Sequence, residues 1–320
     1  MPAGWIVTTL FPGFTPRRIA TSGTEINLVV GGNGPPLLLL HGYPQTHAMW
    51  HRIAPRLAQH FTVVCADLRG YGDSGKPVSE PDHCTYSKRA MAQDQVDVMH
   101  ALGFECFGLA GHDRGARVAH RMARDHAERI ERLAVLDISP TAIMYGRTDK
   151  AFATAYYHWF FLIQPYDLPE KLIGADPAYY LRKTLGGWGS SGLTIFDTHA
   201  YAEYERSFRD PATIHATCED YRAAAAIDLE HDAADAERKL DCPLLVLWGE
   251  KGVVHRLFDP VVDWKSVASD VRGKLLPSGH YLAEEAPDET YAALLAFFQE
   301  GALRPYARQR RSGKIARLAK

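Results

Sequence analysis

The 320-residue sequence lacks paired cysteines, a long apolar run and a strong net charge of either sign. Its five cysteines are scattered, odd in number and free of C-x-x-C spacing. This pattern argues against a disulfide framework or a zinc site and fits a reducing compartment. No apolar run approaches the roughly 20 residues that a membrane-spanning helix needs, and no signal-peptide pattern begins the chain. We therefore expect a cytoplasmic protein.

The charge balance gives no reason to expect nucleic acid or a membrane surface as a partner. The chain carries 36 basic and 38 acidic residues, for a formal net charge of −2. A near-neutral protein has no long-range field to attract a polyanion. The tail 303–320 is basic and without acid, and we interpret it as a solvated, disordered terminus.

Strand-like and helix-like segments alternate through residues 1–140, and sheet character returns in residues 237–302. The intervening residues 141–236 are mostly helical and rich in aromatic side chains. Nearly continuous apolar strands alternating with helices predict an α/β fold with a mostly parallel central sheet. We expect residues 1–140 and 237–302 to form the core domain and residues 141–236 an inserted helical cap (lid). The predicted strands are 25–30, 35–42, 61–68, 104–112, 130–138, 242–249 and 272–280, and the predicted core helices are 48–59, 87–103, 116–130 and 287–300.

The sequence GHDRGAR, residues 111–117, stands between a predicted strand and a predicted helix. Glycines two positions before and two after Asp113 permit the tight turn of a nucleophile elbow. A carboxylate on this turn can attack a saturated carbon and displace a leaving group, forming an ester on the enzyme. The alternative for Asp113 is an ordinary helix N-cap, a position that aspartate favours.

Other residues supply the rest of such an elbow enzyme. The loop HGYP follows a buried strand, and its Tyr43 would place a backbone N–H beside that of Arg114 to form an oxyanion hole. His280, the last of 15 histidines, lies where the last predicted strand ends, the position expected for the general base. The alternative is a surface histidine.

Two residues compete for the acid that orients His280. Asp137 lies at the end of a predicted strand, 24 positions after Asp113 (137 − 113). Related sequences often carry an aspartate in W-G-x-x-D, but this chain has Gly252 at that position. We favour Asp137 and keep Glu250 as the alternative.

With these motifs, the sequence resembles the fluoroacetate (haloacetate) dehalogenase family, in the aspartate-nucleophile branch of the α/β-hydrolase superfamily. The resemblance covers roughly residues 10–300 and rests on LLLLHGYPQTHAMWHRIAP, ADLRGYGDSGKP, LAGHDRGARVAHRMA, LAVLDISPT, YHWFF, CEDYRA and SGHYLAEEAPD. It implies an α/β-hydrolase fold with an inserted cap, a homodimer, a small anionic haloacid as substrate and no metal or other cofactor. The reaction it implies is hydrolytic dehalogenation to glycolate and halide.

The resemblance also implies binding roles. Arg114 and Arg117 would bind the substrate carboxylate, although one of them could instead pair structurally with Asp113 or a cap residue. The departing halide would lie against His158, Trp159 and Tyr221, for which an aromatic cap core is the plainer interpretation. Trp188 and Tyr156 are candidates for lining the pocket.

Two other functions remain open at this stage. An epoxide hydrolase would use the same Asp, His and Asp, with tyrosines protonating the epoxide oxygen. A ligand receptor of the same fold would keep the pocket without turnover. A neutral epoxide gains nothing from Arg114 and Arg117, which favours the haloacid.

Overall fold

One mixed sheet organises the fold. The computed structural model describes residues 10–189 and 191–300. Within these ranges, eight strands form a single sheet in the order β1-β2-β4-β3-β5-β6-β7-β8. The strands are Thr15–Ala20 (β1), Glu25–Gly31 (β2), Pro36–Leu40 (β3), Thr62–Ala66 (β4), Phe107–His112 (β5), Ile130–Leu136 (β6), Leu244–Gly249 (β7) and Val271–Leu276 (β8).

The predicted mostly parallel sheet is confirmed. Strand β2 pairs antiparallel with β1 and β4, and every other neighbouring pair is parallel. All residues of β3 and β5 are buried, because helices cover both faces of the sheet. Strand β1 was not predicted, since its sequence TPRRIA is largely exposed and shows no apolar pattern.

Helices flank the sheet and fill the stretch between β6 and β7. The α-helices are Ala54–Leu57 (α1), Lys88–Ala101 (α2), Arg114–Asp125 (α3), Thr141–Gly146 (α4), Lys150–Ala155 (α5), His158–Phe161 (α6), Leu168–Ala175 (α7), Pro177–Trp188 (α8), Thr198–Phe208 (α9), Pro211–Ala225 (α10), Ile227–Ala234 (α11), Val253–Leu257 (α12), Pro260–Lys265 (α13), Leu282–Glu285 (α14) and Pro287–Gln299 (α15). Short 3-10 turns occur at His47–Trp50, Cys84–Tyr86, Ala127–Arg129 and Gly192–Ile195. Among the described residues, none of the helices is long and apolar enough to cross a membrane.

Two predicted helices are shorter in the structure. The helix expected at 48–59 is divided into a 3-10 turn and α1, and Pro55 lies in the first turn of α1. Proline has no N–H to continue a helix from the preceding turn but suits a first turn. The helix expected at 116–130 ends at Asp125, because His126 leaves helical geometry.

The parallel strands bring the ends of distant segments together. At one edge of the sheet, Leu40 pairs with Gly111, and His112 pairs with Leu136, which also pairs with Leu247. The loops that follow β3, β5, β6 and β7 therefore leave the sheet side by side. Loops at the carboxyl ends of parallel strands are the usual location of sites in such sheets.

We call residues 141–236 the helical segment. In its described part no strand occurs, and it carries α4 to α11. It contacts the carboxyl edge of the sheet: the backbone N–H of His280 donates to the carbonyl of Trp188 over 3.1 Å. The division into core and cap domains stays a prediction, and the basic tail 303–320 lies outside the described residues.

Candidate active site

Asp113 occupies a strained turn between β5 and α3. Its φ of 45° and ψ of −113° are unfavourable for a residue with a side chain. The turn requires glycine at 115, where a Cβ atom would lie 2.3 Å from the carbonyl oxygen of His41. Asp113 stands at the N-cap position of α3, but its side chain makes no capping hydrogen bond. The carboxylate is therefore free for another use.

The Asp113 carboxylate is buried and ionised. Its Oδ2 accepts the backbone N–H of Tyr43 over 2.9 Å, which puts the predicted oxyanion-hole loop in contact with it. Burial raises the pKa of Asp113, but the charges of His280 and the two neighbouring arginines lower it below the ordinary value. The second predicted donor, Arg114, begins α3, so helix geometry leaves its backbone N–H without an internal acceptor.

His280 and Asp137 form a buried hydrogen-bonded pair. Nδ1 of His280 lies 2.6 Å from Oδ2 of Asp137, so Nδ1 carries the proton and Nε2 is the nitrogen left to accept one. Burial lowers the pKa of His280, but the hydrogen bond and charge of Asp137 raise it above 6.5. Asp137 follows β6 with a positive φ of 54°, and its Oδ1 accepts the backbone N–H of Gly249 over 3.1 Å.

The structure favours Asp137 over Glu250 as the orienting acid. Glu250 is exposed, whereas Asp137 holds His280. A Cβ atom added at Gly252 would lie 3.4 and 3.5 Å from the two carboxylate oxygens of Asp137. Gly252, at the W-G-x-x-D position, and Asp137 therefore lie beside the same point of the site. A carboxylate carried after β7 or after β6 would reach that point.

Arg114 is fully buried and binds an acid of the helical segment. Its Nε and Nη2 donate to the carboxylate of Asp220 over 2.9 and 2.7 Å, and Nη2 also reaches the Asp220 carbonyl. Its guanidinium lies 4.0 Å from the ring centre of Tyr221. Within the described residues, its Nη1 has no hydrogen-bond partner. Arg114 thus pairs with an acid of the helical segment and still keeps one donor group for a ligand.

Arg117 is held by neutral groups. Its Nη1 donates to the carbonyl of Ser139 and to Oγ1 of Thr141, and its guanidinium lies 4.6 Å from the ring centre of Trp159. In the part of the chain that the structure describes, its Nε is buried without an acceptor. Burial and the charge of Arg114 lower its pKa to about 10, so it stays charged at neutral pH.

The predicted halide residues form one aromatic cluster. The ring centre of Tyr221 lies 5.6 Å from that of His158 and 6.5 Å from that of Trp159. Burial, together with the charges of His280 and the arginines, lowers the pKa of His158 well below 6.5, so the imidazole is neutral. Nδ1 of His158 and the hydroxyl of Tyr221 are buried and have no partner among the described residues.

Trp188 and Tyr156 belong to the same cluster. The ring of Trp188 lies 4.2 Å from that of His158 and 5.7 Å from that of His280. The ring centre of Tyr156 lies 5.2 Å from that of His158 and 6.3 Å from that of His280. Its buried hydroxyl has no hydrogen-bond partner within the described ranges. Both residues therefore pack beside His158 and His280, and their role as pocket-lining side chains stays a prediction.

Comparison with known proteins identifies the family of the chain. The family model of the alpha/beta hydrolase fold matches residues 35–288. The chain belongs to the α/β-hydrolase family. A fluoroacetate dehalogenase from Burkholderia sp. is 50% identical to this hydrolase over 91% of the chain and 96% of the relative. The resemblance on which the sequence analysis relied is thereby confirmed.

Other relatives of this hydrolase bear different names. A soluble epoxide hydrolase from Corynebacterium sp. is 34% identical over 89% of the chain and 97% of the relative. The crystal structure of an α/β hydrolase from Nostoc sp PCC 7120 is 61% identical, with a TM-score of 0.89, and the match covers 90% of this chain and 99% of that one. The fold prediction is confirmed by this similarity.

Sequence reasoning missed two parts of the hydrolase site. His112 lies inside the GHDRGAR motif, and its Nε2 donates to the carbonyl oxygen of His280 over 2.8 Å. Burial and the charge of His280 lower its pKa to about 3, so it is a neutral anchor for the histidine loop. Asp220 was visible only as the neighbour of Tyr221 in CEDYRA, and nothing local indicated that it would bind Arg114.

One cluster outside this site has the composition of a cation site. Ligand atoms of Glu170, His215 and Glu219 all lie within 4.8 Å of one another. Arg222 already donates to both carboxylates, over 2.7 Å each. Since Arg222, His215 and His83 already bind these two carboxylates, the cluster is a hydrogen-bonded ion-pair network.

Proposed function

We propose that this hydrolase converts a haloacetate, with fluoroacetate as the leading candidate, to glycolate and halide. The observation that carries the proposal is a pair of buried guanidinium groups beside the ionised Asp113. Nη1 of Arg114 and Nε of Arg117 are buried and unpartnered within the described residues. A small carboxylate supplies the acceptors that these two donors need. The relative named fluoroacetate dehalogenase supports the same substrate class.

In the first half-reaction, Asp113 displaces the halide. One of its carboxylate oxygens forms a bond to the α-carbon while the carbon–halogen bond breaks, and the halide leaves with the bonding electrons. Fluoride is a poor leaving group and needs hydrogen-bond donors in a dry pocket. The neutral His158, Trp159 and Tyr221 carry such donors.

In the second half-reaction, water cleaves the ester. Nε2 of His280 accepts a proton from water as the oxygen attacks the carbonyl carbon of Asp113. The backbone N–H groups of Tyr43 and Arg114 stabilise the negative oxygen of the tetrahedral intermediate. Collapse of this intermediate transfers the proton from His280 to the glycolate oxygen and leaves Asp113 as a carboxylic acid. Asp113 then releases the second proton of the water to solvent and is again a carboxylate. Asp137 holds His280 in orientation throughout.

An epoxide hydrolase is the second candidate. The hydroxyls of Tyr156 and Tyr221 are buried without partners in the described part of the chain, and a pair of phenols can protonate an epoxide oxygen. The Corynebacterium relative named soluble epoxide hydrolase supports this alternative. It leaves the free guanidinium donors unexplained, because a neutral epoxide carries no charge to balance them.

The deciding experiment is halide release. The protein is incubated separately with fluoroacetate, chloroacetate and a small epoxide, with an ion-selective electrode for halide and chromatography for the diol. We expect halide and glycolate from at least one haloacetate and none from Asp113→Asn. Diol formation without halide release would overturn the proposal in favour of the epoxide hydrolase.

On resemblance alone, we also propose a cytoplasmic homodimer. Neither property follows from the geometry of the site, which is built within one chain. Sedimentation of the purified protein at micromolar concentration should give about twice the 35.6 kDa mass of the chain. A monomer at that concentration would contradict the proposal.

A further inference from the structure

Asp220 stands at the junction between the helical segment and the sheet-bearing part of the protein. It lies on α10 and is fully buried. Its carboxylate accepts from Arg114 on α3, from the hydroxyl of Tyr71 over 2.6 Å, and from the ammonium group of Lys88 on α2. One acid of the helical segment thus binds three donors that come from the other part of the chain.

These contacts fix the orientation of the Arg114 guanidinium. The carboxylate of Asp220 accepts hydrogen bonds from the guanidinium edge formed by Nε and Nη2. The ring of the adjacent Tyr221 covers the face of the same guanidinium, with its centre 4.0 Å away. A planar guanidinium held at one edge and one face has no rotational freedom left. Its remaining corner, Nη1, is the buried group without a partner within residues 10–189 and 191–300.

The same contacts neutralise the charge of Arg114. Arg114 and Lys88 face the carboxylates of Asp220 and Asp228, and Nζ of Lys88 lies 3.5 Å from Oδ2 of Asp228. Two cations and two anions sum to zero. Arg117, by contrast, donates only to neutral groups among the described residues. The two arginines of GHDRGAR are therefore not equivalent toward an anion.

We propose that Asp220 is a positioning residue that aims Nη1 of Arg114 at the substrate carboxylate, while Arg117 supplies the balancing charge. The proposal deepens the proposed function and rests on it only for the identity of the anion. The ammonium group of Lys88 stabilises the ionised form of Asp220, so the charge of Arg117 is not needed for that purpose. Asp220 does not touch the substrate and acts through Arg114.

The substitution Asp220→Asn separates positioning from charge. Removing a negative charge near the site should by electrostatics alone strengthen the binding of an anion. If Asp220 positions Arg114, binding should instead weaken, because the freed guanidinium no longer holds Nη1 in place. We expect glycolate to bind about tenfold to a hundredfold more weakly by titration calorimetry, the range for a lost hydrogen bond to a charged group.

Two further variants protect this test against a folding defect. Asp220→Asn combined with Lys88→Met removes one charge of each sign and keeps the buried group neutral, so it should fold even where the single variant is destabilised. Glu219→Gln is the matched control, an acid-to-amide change one residue earlier on α10 whose partners are His83 and Arg222. We expect the double variant to bind glycolate as weakly as the single one and the control to bind it like the original protein.

Binding is read without turnover, so the two proposals can fail separately. Glycolate and its neutral analogue glycolamide are titrated into each variant, and halide release from chloroacetate is measured in parallel. Tighter glycolate binding by Asp220→Asn, or recovery of wild-type affinity in the double variant, would overturn the positioning role. Glycolate binding by the wild-type protein with no halide release would overturn the proposed function alone.

Discussion

At the scale of single residues, the account divides the reaction between Asp113 and His280. Asp113 needs only its negative charge to displace the halide, whereas ester hydrolysis needs the imidazole. His280→Gln should therefore complete the first half-reaction and stop. We expect about one equivalent of halide per site in a burst, followed by turnover roughly 100- to 10,000-fold slower than in the original protein. Rapid mixing with excess chloroacetate measures both phases, and an absent burst would contradict the assignment.

The protonation of His280 sets the expected pH dependence. Burial lowers its pKa, but the hydrogen bond and charge of Asp137 and the charge of Asp113 raise it above 6.5. Only the neutral imidazole accepts a proton, so activity is present above this pKa and is lost as the pH falls through it. Formation of the ester removes the charge of Asp113, so we expect the acid limb of kcat to lie below the pKa that His280 has in the free enzyme. The halide burst of His280→Gln is the control. Its size should stay constant over the same pH range, because the pKa of Asp113 is lowered and its carboxylate stays ionised.

At the scale of elements, the ends of β6 and β7 offer two places for one carboxylate. A Cβ atom added at Gly252 would lie 3.4 Å from the nearer carboxylate oxygen of Asp137. Asp137→Gly should lower kcat by roughly 10,000-fold, as loss of an orienting acid does in such triads. Adding Gly252→Asp should recover at least about tenfold of this loss. Steady-state halide release compares the two variants, and Gly252→Asp alone is the control. No recovery would mean that the two strand ends are not interchangeable.

The sequence was informative where a function depends on local geometry. GHDRGAR requires the turn between β5 and α3, because a Cβ atom at 111 would lie 2.5 Å from the carbonyl oxygen of Gly115 within the same motif. The strong strands were recognisable since both of their faces are buried. Strand β1 has no such signal: it is an exposed edge whose conformation comes from pairing with β2. The division of the first helix could have been predicted from Pro55, which has no N–H to continue a helix from the preceding turn.

At the scale of the whole molecule, contacts across large sequence separations hold the helical segment against the rest of the protein. Arg114 and Asp220 are 106 positions apart, and Tyr204 and Glu284 are 80 apart. No local pattern specifies such a pairing, which is why the sequence analysis left open whether an arginine would pair with a cap residue. The residue types of the site could be predicted from the sequence. The partner of each arginine could not, because only the folded chain brings those residues together.

Glu284 makes one of these long-range contacts sensitive to pH. Its carboxyl group is buried between Tyr204 and Gln45, and burial raises its pKa from 4.5 to about 8. Between these values the folded protein binds a proton that the unfolded chain has lost, so this group lowers the free energy of unfolding as the pH rises. Glu284→Gln should gain stability relative to the original protein between about pH 5 and about pH 8. Melting temperatures measure this, and a pH-independent difference would contradict it.

The central claim is that a carboxylate oxygen of Asp113 becomes the hydroxyl oxygen of glycolate. A single turnover in heavy-oxygen water, with the protein in excess over chloroacetate or fluoroacetate, tests it directly. Mass spectrometry of the peptide that contains Asp113 and of the released glycolate then locates the label. The account predicts one heavy oxygen in the Asp113 carboxylate and unlabelled glycolate. Label in glycolate with none in Asp113 would mean direct attack by water and would contradict the account.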